Sequence, residues 1–198
     1  MTRGLFRVAA LLAFATSMLA QDKTNQHTEA ETRTPNGLLG KALGEFADVK
    51  APLPSDETKP GIIVRSFSKL PSVTTYTGEF GLSQAGASPG QGTFKLKRAD
   101  MTFVRVILDI SLESIPRVLW KDKIELLVDD EKAAVAFELV VQHSPDASLY
   151  ALDGCKLTKR HNRVAITFPV KDADVDKMVL RVDGKSYGSL KGLMPAKD

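Results

Sequence analysis

A two-residue alternation of apolar side chains in the stretch FVRVILDISLE constrains the fold more than any other feature. Arg105, Asp109 and Ser111 occupy one phase of this alternation. The apolar residues of the other phase are Val104, Val106, Leu108, Ile110 and Leu112. Because successive side chains of a strand point to opposite faces, a period of two predicts a β-strand and argues against a helix.

Further stretches of the same kind surround this strand, and all of them lie after residue 60. The clearest are GIIVRSF, VTTYTGEF, KIELLVDD, AVAFELVVQ, RVAITFPV and KMVLRV. In the fourth of these stretches, the alternation predicts that four side chains point inward, namely Val135, Phe137, Leu139 and Val141. About ten short strands of this kind predict an all-β fold built as an antiparallel sandwich or barrel, with one face of each sheet in water.

Turn signals separate these strands about every ten residues. Asp153-Gly154 and Asp183-Gly184 are dipeptides typical of tight hairpins, so each is predicted to connect two antiparallel strands. Residues 83–92 contain Gly86, Gly90 and Gly92 and are expected to form a flexible surface loop.

The order of these stretches resembles a known type of domain. FVRVILDISLE is followed by LWKDKIELLVDDEKAA and then by RVAITFPVKDADVDKMVLRVDG. This order is similar to that of telokin-like, immunoglobulin-type domains of exported bacterial proteins of unknown function, and the similarity spans about residues 94–184. KRHNR stands where those domains have a glycine-rich turn. The resemblance implies an immunoglobulin-like antiparallel β-sandwich, and it implies no catalytic residues.

The first 60 residues differ in composition from the rest. Arg3 and Arg7 flank the start of a short apolar run that ends at Ala20, which predicts a signal peptide over residues 1–20; an uncleaved membrane anchor is the alternative. Residues 21–60 predict a flexible or disordered linker, within which GLLGKALGEFADV is expected to form one or two helical turns. The β-sandwich domain is therefore expected over residues 61–198, outside the cytoplasm, with no stable membrane span after cleavage.

Charge and cysteine content narrow the function classes. The chain has 27 basic and 24 acidic residues, and removing Arg3 and Arg7 leaves it nearly neutral, which argues against nucleic acid as a partner. The basic cluster KLTKRHNR (156–163) is interpreted as a strand end and its turn. Cys155 is the only cysteine, so no intramolecular disulfide can form, and its position in an alternating stretch predicts a small buried residue. Pairing of this thiol with another chain is the alternative.

Three alternating aspartates raise the question of a calcium site. Asp172, Asp174 and Asp176 resemble the start of a calcium loop, but Lys177 stands where such a loop needs glycine, and no glutamate follows to close the shell. A solvated loop that leads into a strand is the favoured interpretation, so no metal and no cofactor are expected.

Catalytic and zinc motifs do not appear in the expected spacings. His27, His143 and His161 form no zinc-binding pattern, although His143 and His161 could meet Asp146 at one end of a sandwich. There is no G-x-S-x-G motif, and Cys155 with His161 is poorly spaced for nucleophile activation.

The aromatic residues allow one further interpretation. Four rings are candidates for a sugar-stacking platform, namely Tyr76, Trp120, Tyr150 and Tyr187. The leading interpretation remains an exported, non-catalytic interaction or structural module whose partner is a protein. The alternatives are a glycan- or calcium-binding sandwich and a hydrolase with a loop-borne active site.

Overall fold

Thirteen strands and two short 3-10 helices make up the computed structural model, which describes residues 35–55, 57–83 and 86–190. The strands are β1 (Asn36–Lys41), β2 (Gly61–Leu70), β3 (Ser72–Ser83), β4 (Gly86–Lys95), β5 (Met101–Ser111), β6 (Arg117–Trp120), β7 (Ile124–Val128), β8 (Glu131–Val135), β9 (Glu138–Ser144), β10 (Ala147–Leu157), β11 (His161–Lys171), β12 (Val179–Val182) and β13 (Lys185–Ser189). The 3-10 helices are Lys121–Lys123 and Asp172–Lys177.

All pairings between these strands are antiparallel, and they form three sheets. The large sheet has the strand order β1-β10-β9-β11-β5-β2, and β6 pairs with the C-terminal end of β10. The second sheet has the order β13-β12-β7-β8, while β3 and β4 form a two-stranded ribbon. The prediction of an all-β, antiparallel architecture is confirmed.

The main core lies between the large sheet and the second sheet. β5 supplies Val104, Val106, Leu108 and Ile110, all of which are buried, as the alternation predicted. β11 pairs with β5 over its whole length and adds further buried side chains to the same face. The second sheet contributes Ile124, Leu126, Leu180 and Val182. Burial of these apolar surfaces supplies the main favourable term in folding.

The predicted turn at Asp183-Gly184 is confirmed. Asp183 and Gly184 have φ angles of 49° and 76°, and they connect β12 to β13. Asp129 and Asp130 form a similar two-residue turn between β7 and β8, with φ angles of 52° and 64°. Aspartate tolerates this left-handed region better than most residues, which explains its use at three of these four positions.

The predicted hairpin at Asp153-Gly154 is wrong, because β10 runs without a break from Ala147 to Leu157. Gly154 pairs with Trp120 of β6. A Cβ atom at Gly154 would lie 2.5 Å from the Trp120 ring and 2.9 Å from the Leu119 carbonyl oxygen. This glycine therefore permits the close approach of an indole ring to a strand. The sequence alone does not distinguish this role from that of a glycine in a turn.

The expected loop over residues 83–92 is also wrong in most of its length. β4 begins at Gly86 and pairs with β3 as far as Lys95. The glycines of this stretch therefore belong to a long hairpin arm, whose backbone hydrogen bonds compensate for their low β-propensity.

The prediction of a flexible linker over residues 21–60 is wrong for residues 36–41. Residues 36–41 form β1, which pairs with β10 from Asn36 to Lys41, and the compact unit begins at Pro35. The helical turns expected in GLLGKALGEFADV are replaced by this strand and by a turn over residues 44–48. Pairing with β10 satisfies the backbone groups of β1, whereas the glycines of this segment would destabilise a helix. The predicted signal peptide and the first part of the linker lie outside the described residues.

The inward phase predicted for AVAFELVVQ holds only for its second half. Leu139 and Val141 are buried in the main core, but Val135 is 43 % exposed and Phe137 is only half-buried. The strand ends at Val135 and a new one begins at Glu138, so the alternation changes phase between β8 and β9. Ala136, whose N–H donates to the Ile124 carbonyl oxygen, lies in this break and takes the buried position.

Candidate functional site

The central strands of the large sheet are buried on both faces, which corrects the expectation that one face lies in water. Its second face carries an apolar row that crosses four strands in register. Ile107 pairs with Ala165, Ala165 with Val140, and Val140 with Tyr150. These four residues form a second buried cluster, separate from the main core. An apolar row of this kind has to be covered by other parts of the chain.

Residues 42–50, here called the covering segment, lie on this row. Phe46 belongs to the second buried cluster, and Leu43 and Val49 pack against it. The Tyr150 hydroxyl donates to Glu45 Oε1 at 2.5 Å and accepts from the Leu43 N–H at 3.2 Å. Burial and the Glu45 carboxylate raise the pKa of Tyr150 well above its usual range. A buried carboxylate–phenol pair therefore fixes the covering segment to β10.

The base of the β3–β4 hairpin lies beside the covering segment. Tyr76 contacts Tyr150 edge to face, with ring centroids 4.7 Å apart, and its hydroxyl accepts from the Lys41 N–H at 3.2 Å. A Cβ atom at Gly40 would lie 2.4 Å from the Tyr76 ring, so β1 needs a glycine where the hairpin crosses it. On the other side, Phe94 contacts Phe137 with centroids 5.3 Å apart.

A cleft of about 280 Å³ opens between the base of the hairpin and the large sheet. Its walls combine aromatic rings, hydroxyl groups and two ionisable side chains. The lining residues are Thr75, Tyr76, Thr77, Phe94, Lys121, Phe137, Glu138, Leu139, Tyr150, Ala151 and Leu152. The cleft is concave and combines apolar rings with polar groups, and small molecules commonly bind in concave sites of mixed lining.

Glu138 and Lys121 are the acidic and basic side chains that line this cleft. Glu138 is buried, and its Oε2 atom accepts from Arg105 at 3.1 Å and from the Thr167 hydroxyl at 2.9 Å. Its Oε1 atom has no hydrogen-bond partner among the described residues. Lys121 Nζ donates to the Phe137 carbonyl oxygen at 3.2 Å, and burial lowers the pKa of Lys121 while Asp153 and Glu138 oppose that shift. Sequence reasoning missed both residues, since only the fold brings them to one cleft.

A second buried charge network lies at the opposite end of the same face. Asp109 accepts from Arg163 Nε at 2.8 Å and from Arg65 Nε at 2.6 Å. Arg163 also donates to the Pro52 carbonyl oxygen at 3.1 Å. Both oxygens of Asp109 therefore accept hydrogen bonds from arginine, so we interpret this network as structural.

The three aspartates considered for calcium do not converge. They lie in the 3-10 helix Asp172–Lys177, and Asp172 pairs with Lys69 Nζ at 2.8 Å. Val175, between the other two, is buried and anchors this short helix to the main core. Across the described ranges, no group of three or more His, Cys, Asp or Glu side chains is placed to hold a metal ion.

The histidines occupy different places. His161 Nδ1 lies 3.0 Å from Ser111 Oγ, a cross-strand pair that follows from the register of β5 with β11. His143 borders a separate, smaller cleft near Lys159, whose Nζ donates to the His143 carbonyl oxygen at 3.0 Å. His27 lies outside the described residues. No local pattern predicts the Ser111–His161 pair, because nothing local sets the register between two distant strands.

Cys155 and the four candidate aromatic rings occupy buried or half-buried positions. Cys155 is buried, as predicted, and burial raises the pKa of its thiol to about 11. Tyr76 and Tyr150 do meet at the cleft, but Tyr150 is buried and Tyr187 packs against the main core. The four rings therefore form no shared exposed platform. In the basic cluster, Asn162 Nδ2 donates to the Lys159 carbonyl oxygen at 2.7 Å and shapes the turn.

Within the described part of the chain, no helix is both long and apolar enough to cross a membrane. Comparisons with protein-family models, with curated proteins and with solved structures each found no match for this chain.

Proposed function

We propose that this chain is an exported, non-catalytic binding module with an immunoglobulin-like β-sandwich, and that the cleft beneath the β3–β4 hairpin is its binding site. The sandwich is supported by two antiparallel sheets that share one core. Export is supported by the basic and apolar pattern of residues 1–20.

The observation that carries the proposal is the composition of the cleft. Its rings offer apolar contact, and Lys121 and the buried Glu138 carboxylate supply its charged groups. The other carboxylates buried on this face, Asp109 and Glu45, already accept hydrogen bonds from arginine, tyrosine or backbone groups. The cleft is therefore the place on this face where a small molecule would meet aromatic rings, hydroxyl groups and charged groups together.

Thr77 provides a variant that tests the cleft. It is exposed and lines the cleft, so Thr77→Phe fills the cleft without disturbing the core. Thr74→Phe is the matched control, because Thr74 is also an exposed residue of β3 but does not line the cleft. Both variants retain Trp120 as the single tryptophan.

The experiment is a thermal melt of the full chain with millimolar sugars, amino acids, dipeptides, nucleotides and fatty acids. A ligand at one hundred times its Kd stabilises by about 2.7 kcal/mol, which is about 5–10 °C for a domain of this size. We expect one class to raise the Tm of the native chain and of Thr74→Phe, but not of Thr77→Phe. Mass spectrometry of the recovered ligand should show it unchanged. A panel without any shift, a shift equal in Thr77→Phe, or a converted ligand would contradict the proposal.

A further inference from the structure

The smaller cleft, between β9 and the β10–β11 turn, is lined by polar groups that the proposed function does not use. One wall is the end of β9, and the other is the end of β10 with the turn that follows it. Two lysines of the basic cluster 156–163 take part. The polar lining residues are Gln142, His143, Lys156, Thr158, Lys159 and Asn162. The fold therefore gives this basic cluster a concave surface as well as a turn.

The charged side chains that line the smaller cleft are all basic. Among the described residues, no acidic side chain lines it, although Asp146 and Asp153 lie close to its two segments in the sequence. The field of Asp153 acts on Lys121, at the other cleft. Neither Lys156 nor Lys159 forms a salt bridge with a described carboxylate. An anion in this cleft would therefore meet positive charge without a competing carboxylate.

Apolar side chains of the main core also line this cleft. Val141 and Leu157 are buried members of that core, and Leu149 packs against it. Since a wall of low polarity screens charge poorly, a cleft lined by one sign of charge concentrates its field on an ion of the opposite sign. The volume of about 50 Å³ corresponds to about two water molecules at about 30 Å³ each, so the cleft takes one small group.

Two hydrogen bonds hold the polar side chains of this cleft in place. Lys159 Nζ donates to the His143 carbonyl oxygen at 3.0 Å, which fixes the ammonium between the two segments. Asn162 is 4 % exposed, and its Nδ2 donates to the Lys159 carbonyl oxygen at 2.7 Å. An ammonium has three N–H donors, so the bond to His143 leaves two donors of Lys159 for a ligand. Because Lys159 is already held, binding costs less side-chain entropy.

We infer that the smaller cleft binds one tetrahedral oxyanion, a phosphate group, whose oxygens accept from the ammonium groups of Lys156 and Lys159. Phosphate offers several acceptor oxygens in different directions, and lysine binds it as a point charge with several donors. The group is either free inorganic phosphate or the terminal phosphomonoester of a small molecule, and both sources present the same chemistry. The site is separate from the cleft beneath the β3–β4 hairpin, so the inference does not depend on the proposed function.

Arg160 provides the matched control for Lys159. Both are exposed basic residues of one turn, but only Lys159 lines the cleft. The measurement is a calorimetric titration of the full chain with inorganic phosphate at constant ionic strength near 0.15 M, where exposed charges more than about 8 Å apart are largely screened. We expect saturable binding, a loss of about tenfold or more in Lys159→Gln, and a change within about threefold in Arg160→Gln. Equal losses in the two variants would overturn the inference, because the ion would then respond to the net charge of the turn.

Titrations of the native chain test the same inference without any substitution. Sulfate, a second tetrahedral dianion, should compete with phosphate, whereas chloride at the same ionic strength should not. A titration without saturable phosphate binding up to about 10 mM would overturn the inference, even where Lys159→Gln fails to fold. Equal competition by chloride would also overturn it. Lys156→Gln is the second variant, and it should weaken phosphate binding by about threefold or more.

Glycerol 3-phosphate separates the two sources of the phosphate group. Binding at least as tight as that of inorganic phosphate identifies the end group of a small molecule, and selective binding of inorganic phosphate identifies the free ion. Thr77→Phe, which fills the other cleft, should leave phosphate binding within about twofold, since distant sites act independently. Loss of phosphate binding in Thr77→Phe but not in Lys159→Gln would overturn this inference and leave the proposed function standing.

Discussion

The buried carboxylate of Asp109 offers a sharp test of how this fold is stabilised. Its side chain is 0 % exposed and its two oxygens accept hydrogen bonds from Arg163, which is 5 % exposed, and from Arg65, which is 31 % exposed. Asp109→Asn keeps the size of the side chain but removes the negative charge. Arg163 then remains inside the protein without a counter-ion.

The expected magnitude follows from the exposure of the three partners. Removing one member of a buried ion pair costs about 3–5 kcal/mol, since the remaining charge has lost water and gained nothing in return. Arg65 reaches solvent and adds little to this cost. For a domain of this size, the loss corresponds to a decrease in Tm of about 6–20 °C.

Urea denaturation followed by Trp120 fluorescence measures this change, with Asp172→Asn as the control. Asp172 pairs with Lys69 at 2.8 Å, but these side chains are 58 % and 43 % exposed, so the control should lose less than about 1 kcal/mol. Adding Arg163→Met to Asp109→Asn should restore part of the loss, because an apolar side chain replaces the unpaired charge. A loss in Asp109→Asn no larger than in Asp172→Asn would refute the argument.

Three further predictions concern the core of the large sheet. Leu108→Asp should prevent folding, because an unpaired charge would enter the main core, and a circular dichroism melt with unchanged Tm would disprove the core assignment. Gly154→Ala should cost about 1–3 kcal/mol and shift the emission of Trp120, since the new Cβ would lie 2.5 Å from the indole; an unaltered spectrum and Cm would count against the contact. Cys155 should resist alkylation at pH 8 in the native chain and react after unfolding in urea, because burial raises its pKa to about 11 and keeps the thiol protonated below that pH; rapid native labelling would contradict its burial.

The all-β architecture could be predicted because its signal is local. In β5, the period of two is visible without any partner strand, and four of its predicted core residues are buried in the structure. The turn at Asp183-Gly184 is equally local, since the left-handed conformation depends on those two residues. The same reasoning wrongly predicts a turn at Asp153-Gly154. That dipeptide lies within a continuous strand, where a tryptophan covers the glycine.

The cover on the second face of the large sheet was missed although part of its signal was present. Ile107, Val140 and Ala165 lie in the phase where a half-exposed strand would carry polar residues. Upstream, Leu43, Phe46 and Val49 are spaced three residues apart in a segment interpreted as linker. Neither the apolar residues of the sheet nor those of the upstream segment predict a buried face by themselves. Only the register of four strands shows that these two sets of residues meet.

The cleft itself could not be predicted, because its groups come from separate elements. Glu138 begins β9, Lys121 follows β6, and Phe94 belongs to the hairpin. Neither a fixed spacing nor a motif links these residues, so the alternation that predicts a sheet says nothing about which charges its second face brings together. Register is set by the whole hydrophobic pattern, and a shift of one residue would move Glu138 to the other face.

The second face of the large sheet explains why a cleft exists at that place. Its apolar row is covered by residues 42–50, and its Asp109 row is neutralised by two arginines and the Pro52 carbonyl oxygen. The Glu138 row receives one arginine and the base of a two-stranded hairpin, which covers less area than a sheet. One oxygen of Glu138 accepts from Arg105 and from Thr167, while the other is buried without a partner among the described residues. Because an unsatisfied buried acceptor costs stability, the Glu138 row is the least well compensated of the three rows on the second face.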